Sequence, residues 1–449
     1  MKRIVLILII TFFVWIKFED FYFVPVIAIS GFFFIQLIID STNKFAFREW
    51  CIFLYCLNYL IAPAITYQFD QSTLFYPMKI PASEYFAVSI PGVMCFIWGM
   101  YASKTTIFTP NVVKLDRDSR NNELLLRKFV ILGVALQIAK PLFPVGIAFF
   151  IYLFSSIRYV GVFGLFSMNS GKYWKWICAV FLVEFYFAIK AALFHDAMMW
   201  VLFFALFYVF IKKPKFIFRL VGLFVLIFIV LSIQSVKSIY RSKVWQQSEE
   251  SSIGLFAATT LESQSDVGGE NNLLSSLNRS NQAWIFASTK SRMDRTGDFQ
   301  GLHILGIYFE AAVLPRFLFP NKIKSGDKEI FNTFSGHVIN NSTSMGLGVF
   351  ADGYIAYGFF GVLIFTFGLG ILFNITFKFI ESWSKLSTFY VLLVLPILNY
   401  AIRPDCELQT TINHITKGIF VFGILVMFTK FNFVVELNKE LIKRSKKFA

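Results

Sequence analysis

The sequence predicts an all-α, polytopic integral membrane protein of about 11–12 transmembrane helices, with one large extracytoplasmic loop that contains short helices. Three observations carry this. Of 449 residues, 57% are hydrophobic and only 15% are charged, against roughly 25% charged in soluble domains. Mean hydropathy is +0.64, more than a buried core alone explains. The apolar residues, with 58 Phe among them, also fall into long runs separated by short basic segments, which is the pattern of successive bilayer passes.

The runs in chain order are Ile4–Ile16, Phe21–Ile39, Cys51–Tyr67, Tyr85–Ala102, Trp176–Ala191, Met198–Ile211, Ile217–Ile233, Gly361–Ile380, Phe389–Ile402 and Ile415–Phe428. The first resembles a signal peptide, with Lys2-Arg3 ahead of it. A small-residue cleavage site is missing, so it reads as an uncleaved span. Phe129–Ile157 is too long for one comfortable pass, and Lys140-Pro141 with Pro144 interrupts it, so it reads as a helical hairpin. The formal charge of +15 gathers in Lys2-Arg3, Lys104–Lys128, Lys212–Arg219 and the tail Lys430–Lys447. Such clusters beside spans mark cytoplasmic segments rather than a nucleic-acid footprint. Both termini then lie in the cytoplasm of a bacterial inner membrane.

Three regions follow: N-terminal spans over 1–233, a large periplasmic loop over 234–357, and C-terminal spans with a basic tail over 358–449. A loop this long between spans is far above the usual connection length, which points to function. The five cysteines are scattered without metal-ligand spacing, and no Walker A pattern occurs. Asp116-Arg117-Asp118 superficially matches a metal-binding Asp-x-Asp, but it sits in a basic cytoplasmic loop and reads as a solvated charged segment. No cofactor or metal is expected.

The loop carries the chemistry. At its start, Gln234, Lys237 and Arg241 fall on one helical face, with Tyr240 beside them. Cations ending a span often snorkel, yet this is the side on which the positive-inside rule makes them scarce. Asn278-Arg279 follows, then Glu310, then Pro315-Arg316-Phe317-Leu318-Phe319-Pro320-Asn321-Lys322. Next come His337 and Thr343-Ser344, and last Asp352-Gly353-Tyr354-Ile355-Ala356-Tyr357-Gly358-Phe359-Phe360-Gly361.

That ordered set, Gln-x-x-Lys-x-x-Tyr-Arg, Asn-Arg, Pro-Arg-x-Leu-x-Pro-x-Lys, Thr-Ser and Gly-Tyr-x-x-Tyr-Gly-x-x-Gly, resembles the Wzy-type oligosaccharide repeat-unit polymerases, also called O-antigen polymerases. It covers about 234–370; the remaining spans match in hydropathy only. Where the family has Glu-x-Tyr-x-Asn-Phe-Gly, this chain has Asp352, Ala356 and Tyr357, so the carboxylate is kept and the Asn is lost. The resemblance implies transfer of a growing glycan from undecaprenyl pyrophosphate onto a second lipid-linked repeat unit at the periplasmic face. The product would be O-antigen, capsule or exopolysaccharide. A chain-length regulator is a partner by the same resemblance.

The residue types suit that chemistry. A departing pyrophosphate needs positive charge, and Arg binds phosphate bidentately. Arg241, Arg279, Arg316 and Arg403 with Lys237 and Lys322 are the candidates; Tyr240, Tyr354 and His337 are candidate substrate contacts. Asp352 or Glu310 could act as base for a sugar hydroxyl, or simply pair with an arginine. Arg403 could likewise be neutralised by Asp405. Two other readings stay open: an O-antigen ligase, which differs in acceptor, and a lipid-linked oligosaccharide flippase. A flippase should carry charges within its spans, where Lys140, Glu184 and Lys190 are the main ones here.

Overall fold

The computed structural model describes residues 22–74, 76–168, 171–246, 250–265, 281–314, 326–339 and 345–448. The described residues are all-helical, 79% helix with no strand. Six helices are long and apolar enough to cross a membrane. The run Ile4–Ile16, together with Arg279, Arg316, Lys322 and Thr343-Ser344, lies outside the described residues.

Helices α1 (Phe23–Asp40), α2 (Phe47–Thr66) and α3 (Ala82–Met100) open the bundle. A π turn, Leu57–Ile61, lies inside α2, and Pro63 explains it. Pro63 has no N–H to give the Tyr59 carbonyl, so the ladder widens. The Tyr85 hydroxyl takes that carbonyl at 3.0 Å instead.

Next come α4 (Val112–Asn121), α5 (Glu123–Ala139), α6 (Val145–Ser155) and α7 (Ile157–Ser167). The chain breaks at Lys140–Leu142, inside the expected hairpin Phe129–Ile157, but α5 packs chiefly on α7, which follows that segment. A Cβ on Gly133 would come 2.6 Å from the Ser155 carbonyl, and one on Gly161 2.6 Å from that of Leu126. Small residues let these two backbones touch.

Helices α8 (Trp174–Ala191), α9 (His195–Lys212) and α10 (Phe216–Arg241) follow. The last runs unbroken through Gln234–Arg241, so the motif sits on a helix. Beyond it lie α11 (Ile253–Ser265), α12 (Ala283–Thr296), α13 (His303–Val313) and α14 (Lys328–Ser335). These short helices occupy the segment expected to hold them.

Helix α15 (Val349–Ser384) is two helices meeting at a reversal, with Tyr357 at φ −146° and Gly358 at φ +58°. The left-handed Gly358 permits the turn. The last carbonyls of the first half, Ile355 and Ala356, accept N–H bonds from Gln300 and Gly301 at 2.9 and 3.0 Å. The halves touch at Gly353 and Gly361, where a Cβ on Gly361 would lie 1.9 Å from the Gly353 carbonyl. The glycines of the sequence motif are thus the geometry of this reversal. We expect Gly361→Val to abolish monodisperse, extractable protein in size-exclusion chromatography, because a backbone contact cannot yield as a side chain can. Wild-type elution of Gly361→Val would remove this account.

The run Phe389–Ile402 corrects an expectation. It is not a regular span helix but six residues of 3-10 helix, Thr388–Leu393, and five of α-helix, α16 (Val394–Leu398). Together they rise about 20 Å, short of a hydrocarbon core of about 30 Å. All eleven are buried. Hydropathy does not separate a lipid-facing residue from one enclosed by other helices, and irregular backbone at membrane depth is tolerated only when enclosed. Finally α17 (Leu408–Phe448) runs through the last span into the basic tail.

Candidate functional site

The strongest candidate is the turn between α16 and α17, where Arg403, Asp405 and Glu407 line one cavity. Arg403 grips Asp405 with two parallel bonds, Nε to Oδ1 at 3.0 Å and a second to Oδ2. Its guanidinium lies 4.4 Å over the Tyr400 ring. The turn is anchored from below: the Tyr59 hydroxyl donates to the Pro404 carbonyl at 2.9 Å. Gly348, at φ +82°, leaves room for that hydroxyl, since a Cβ there would lie 2.7 Å from it. The Pro63-induced π turn therefore aims Tyr59 at the candidate site.

A cavity of about 130 Å³ opens on this turn, lined by Arg403, Asp405, Glu407, Tyr400, Thr410 and Gln282 among others. Glu407 Oε1 accepts from the Gly326 N–H at 2.7 Å and the Thr410 hydroxyl at 2.9 Å. Burial pushes the Glu407 carboxyl above the usual carboxylate range. Burial acts the same way on Asp405, but Arg403 beside it outweighs that and holds it below the usual range. Two carboxyls two residues apart thus shift in opposite directions.

Asp352 lies behind the cavity and is fully buried. Its Oδ1 accepts from the Tyr308 hydroxyl at 2.9 Å and its Oδ2 from the Leu408 N–H at 2.7 Å. It therefore ties α13, α15 and the start of α17 together, immediately next to Glu407. Glu310, on α13, is exposed.

The end of α10 approaches from another side. Lys237, Arg403 and Asp405 all lie within electrostatic reach of His195. Arg241 donates from Nε to the Ala192 carbonyl at 2.8 Å and stacks 4.7 Å over Trp245. Tyr240 is fully buried between Phe194 and Phe256, with its hydroxyl on the Ile189 carbonyl at 3.1 Å. It pins α10 against α8.

Tyr354 and His337 sit elsewhere, along α12. The Tyr354 hydroxyl donates to Asp294. His337 Nε2 meets the Ser288 hydroxyl at 3.1 Å, and burial followed by Lys79 holds its ring below the ordinary histidine value.

A second cavity of about 320 Å³ shares Tyr400 and Thr410 with the first and lies among the spans, against Tyr152, Asp196, Asn413 and His414. Tyr152 donates to Asp196 at 3.1 Å and receives from Asn399 at 3.2 Å. Nearby, Arg158 pairs with Glu184 at 2.6 Å with both nearly buried. Charge inside the bundle is thus richer than hydropathy conveyed, because paired charges leave apolar runs intact. The sequence reading missed Arg158, Asp196 and Glu407; a carboxylate four residues after an arginine at a span boundary was the only trace of the last.

Fold and site together define an all-helical membrane protein class with a polar cavity lined by one arginine and two carboxylates. Within that class, the family model described as a domain of unknown function (DUF8712) matches residues 6–385, and the chain belongs to that family. The Arg403 turn follows the matched residues. No curated protein and no solved structure matches the chain.

Proposed function

We propose that the protein is a glycosyltransferase that polymerises lipid-linked oligosaccharide repeat units, in the manner of the Wzy-type polymerases it resembles. The observation that carries this reading is the pairing, in one cavity, of a forked arginine with a buried carboxyl of raised pKa. Arg403, with Lys237 and Arg241 on the adjoining helix end, offers positive charge to a departing pyrophosphate. Glu407 accepts the proton of the attacking hydroxyl. The bond between donor C1 and pyrophosphate oxygen breaks, the acceptor oxygen bonds to that carbon, and undecaprenyl pyrophosphate leaves with its electron pair. Asp352 is a positioning residue that fixes Leu408 and so Glu407. In this reading the site faces the periplasm of a bacterial inner membrane. Both termini are cytoplasmic, and the chain makes about 11–12 passes.

Purified full-length protein in nanodiscs, given undecaprenyl-pyrophosphate-linked repeat units alone, should form a ladder on gels. The rate should rise with pH through a pKa above the usual carboxylate range, since only deprotonated Glu407 can accept the proton, and Glu407→Gln should remove both ladder and profile. An absolute requirement for a nucleotide sugar would overturn the reading. The intramembrane Arg158–Glu184 pair and its neighbouring cavity favour one other reading, a lipid-linked oligosaccharide flippase. It would move substrate between leaflets of proteoliposomes without lengthening it.

A further inference from the structure

We propose that the second cavity, formed by α6, the start of α9 and α17, is a binding subsite for one neutral sugar of the lipid-linked glycan. That the sugar belongs to a lipid-linked glycan rests on the proposed function; that the cavity takes a sugar does not.

Size and walls come first. The cavity holds about 320 Å³. That is twice the roughly 150 Å³ that takes one benzene, and a pyranose has about twice benzene's heavy atoms. Phe149, Tyr152 and Tyr400 give it aromatic walls. Such walls suit the C–H faces of a sugar, while a few polar groups among them fix its hydroxyls.

Those polar groups are acceptors that the fold leaves open. The His414 ring is 1% exposed. It is held between Tyr400, stacked at 5.8 Å, and Phe149, T-shaped at 5.6 Å. Its Nε2 meets the Pro396 carbonyl at 3.2 Å. A carbonyl only accepts, so Nε2 carries the hydrogen and Nδ1 of the neutral ring is a bare acceptor. Among the described residues nothing donates to that Nδ1, nor to the buried amide oxygen of Asn413 beside it. Helix α9 adds Asp196. Its Oδ2 takes the Tyr152 hydroxyl at 3.1 Å, and no donor among the described residues reaches Oδ1.

Acceptors gathered on one cavity call for hydroxyl hydrogens. A sugar supplies them; an acyl chain would leave every one unpaired. An anion fits no better, because no lysine or arginine lines the cavity. Lys140 and Lys417 approach it only over the Tyr152 and Phe149 rings, at 5.3 and 5.2 Å. A uronate carboxylate would meet the like charge of Asp196.

The cavity also lies where a sugar would matter. It shares Tyr400 and Thr410 with the Arg403 cavity, and Thr410 donates to Glu407 at 2.9 Å. A ring seated here is one side chain away from the carboxyl that takes the proton, so it is the sugar offering the attacking hydroxyl that this subsite would select.

The test is saturation-transfer NMR on the full-length protein in nanodiscs. The probes are the methyl glycosides of glucose, galactose, mannose, rhamnose, fucose and N-acetylglucosamine, with methyl glucuronide beside them. At least one neutral glycoside should bind wild type. Asp196→Asn and Asn413→Leu should each weaken it by about tenfold while melting close to wild type, since Asp196→Asn keeps an oxygen for Tyr152. Glu407→Gln should leave glycoside binding unchanged, and methyl glucuronide should bind at least about tenfold more weakly than the neutral sugar. The proposal is overturned if no neutral glycoside binds, if both variants bind as wild type does, if the glucuronide binds as well, or if decanol displaces the sugar. Polymer formation is scored separately. Glycoside binding without polymer fails the polymerase reading alone; wild-type polymer from the Asp196→Asn, Asn413→Leu double variant fails this inference alone.

Discussion

Replacing Arg403 by glutamine should reduce polymer formation by about a hundredfold to a thousandfold, the range seen when a donor to developing negative charge is removed. The fork on Asp405 and the stack on Tyr400 hold the guanidinium at the mouth of the cavity, so its charge is in place before substrate arrives. The variant has a second effect, since Asp405 loses its counter-charge. Part of any loss in protein level belongs to that stranded carboxylate. Pairing Arg403→Gln with Asp405→Asn separates the two: thermal stability should recover and activity should not. Arg403→Lys should restore charge without the fork and recover activity only in part. Wild-type ladders from Arg403→Gln, with protein at normal levels, would move the reaction to another part of the molecule.

Asp352 should behave in the opposite way. Asp352→Leu strands the Tyr308 hydroxyl and the Leu408 N–H in the interior, at about 1–3 kcal/mol each, and should collapse the yield of folded protein. Asp352→Asn keeps one oxygen for Leu408 and presents an amide to Tyr308, whose hydroxyl oxygen can accept from it. That variant should melt near wild type and still polymerise. If Asp352→Asn folds normally but makes no polymer, the carboxylate is itself the base, and Glu407 is not.

Much of the architecture was legible. Apolar runs located helices such as α1, α9 and α10, and Pro141 with Pro144 marked the break after α5, because a proline's missing donor is a local fact. The Phe389–Ile402 run was misread because enclosure is set by distant helices. The site was legible in part. Arg403 announced itself by its place beside a span, whereas Tyr59 joins it only through a bond spanning most of the chain. Lys237 and Arg241 fell on the helix expected. Glu407 was invisible because its chemistry comes from what buries it. Asp352 was noticed for its motif, but its two partners, from α13 and α17, are unrelated to that motif in sequence.

The enclosed segment Thr388–Leu398 bears on how the protein is made. A regular apolar helix satisfies its own backbone and can enter the bilayer by itself. This segment cannot, since its short turns leave groups that only neighbours cover. Its burial is completed by α17 and the helices packed around both, so we expect it to settle only together with them. The Arg403 turn, which joins the two, is therefore completed only once α17 is in place.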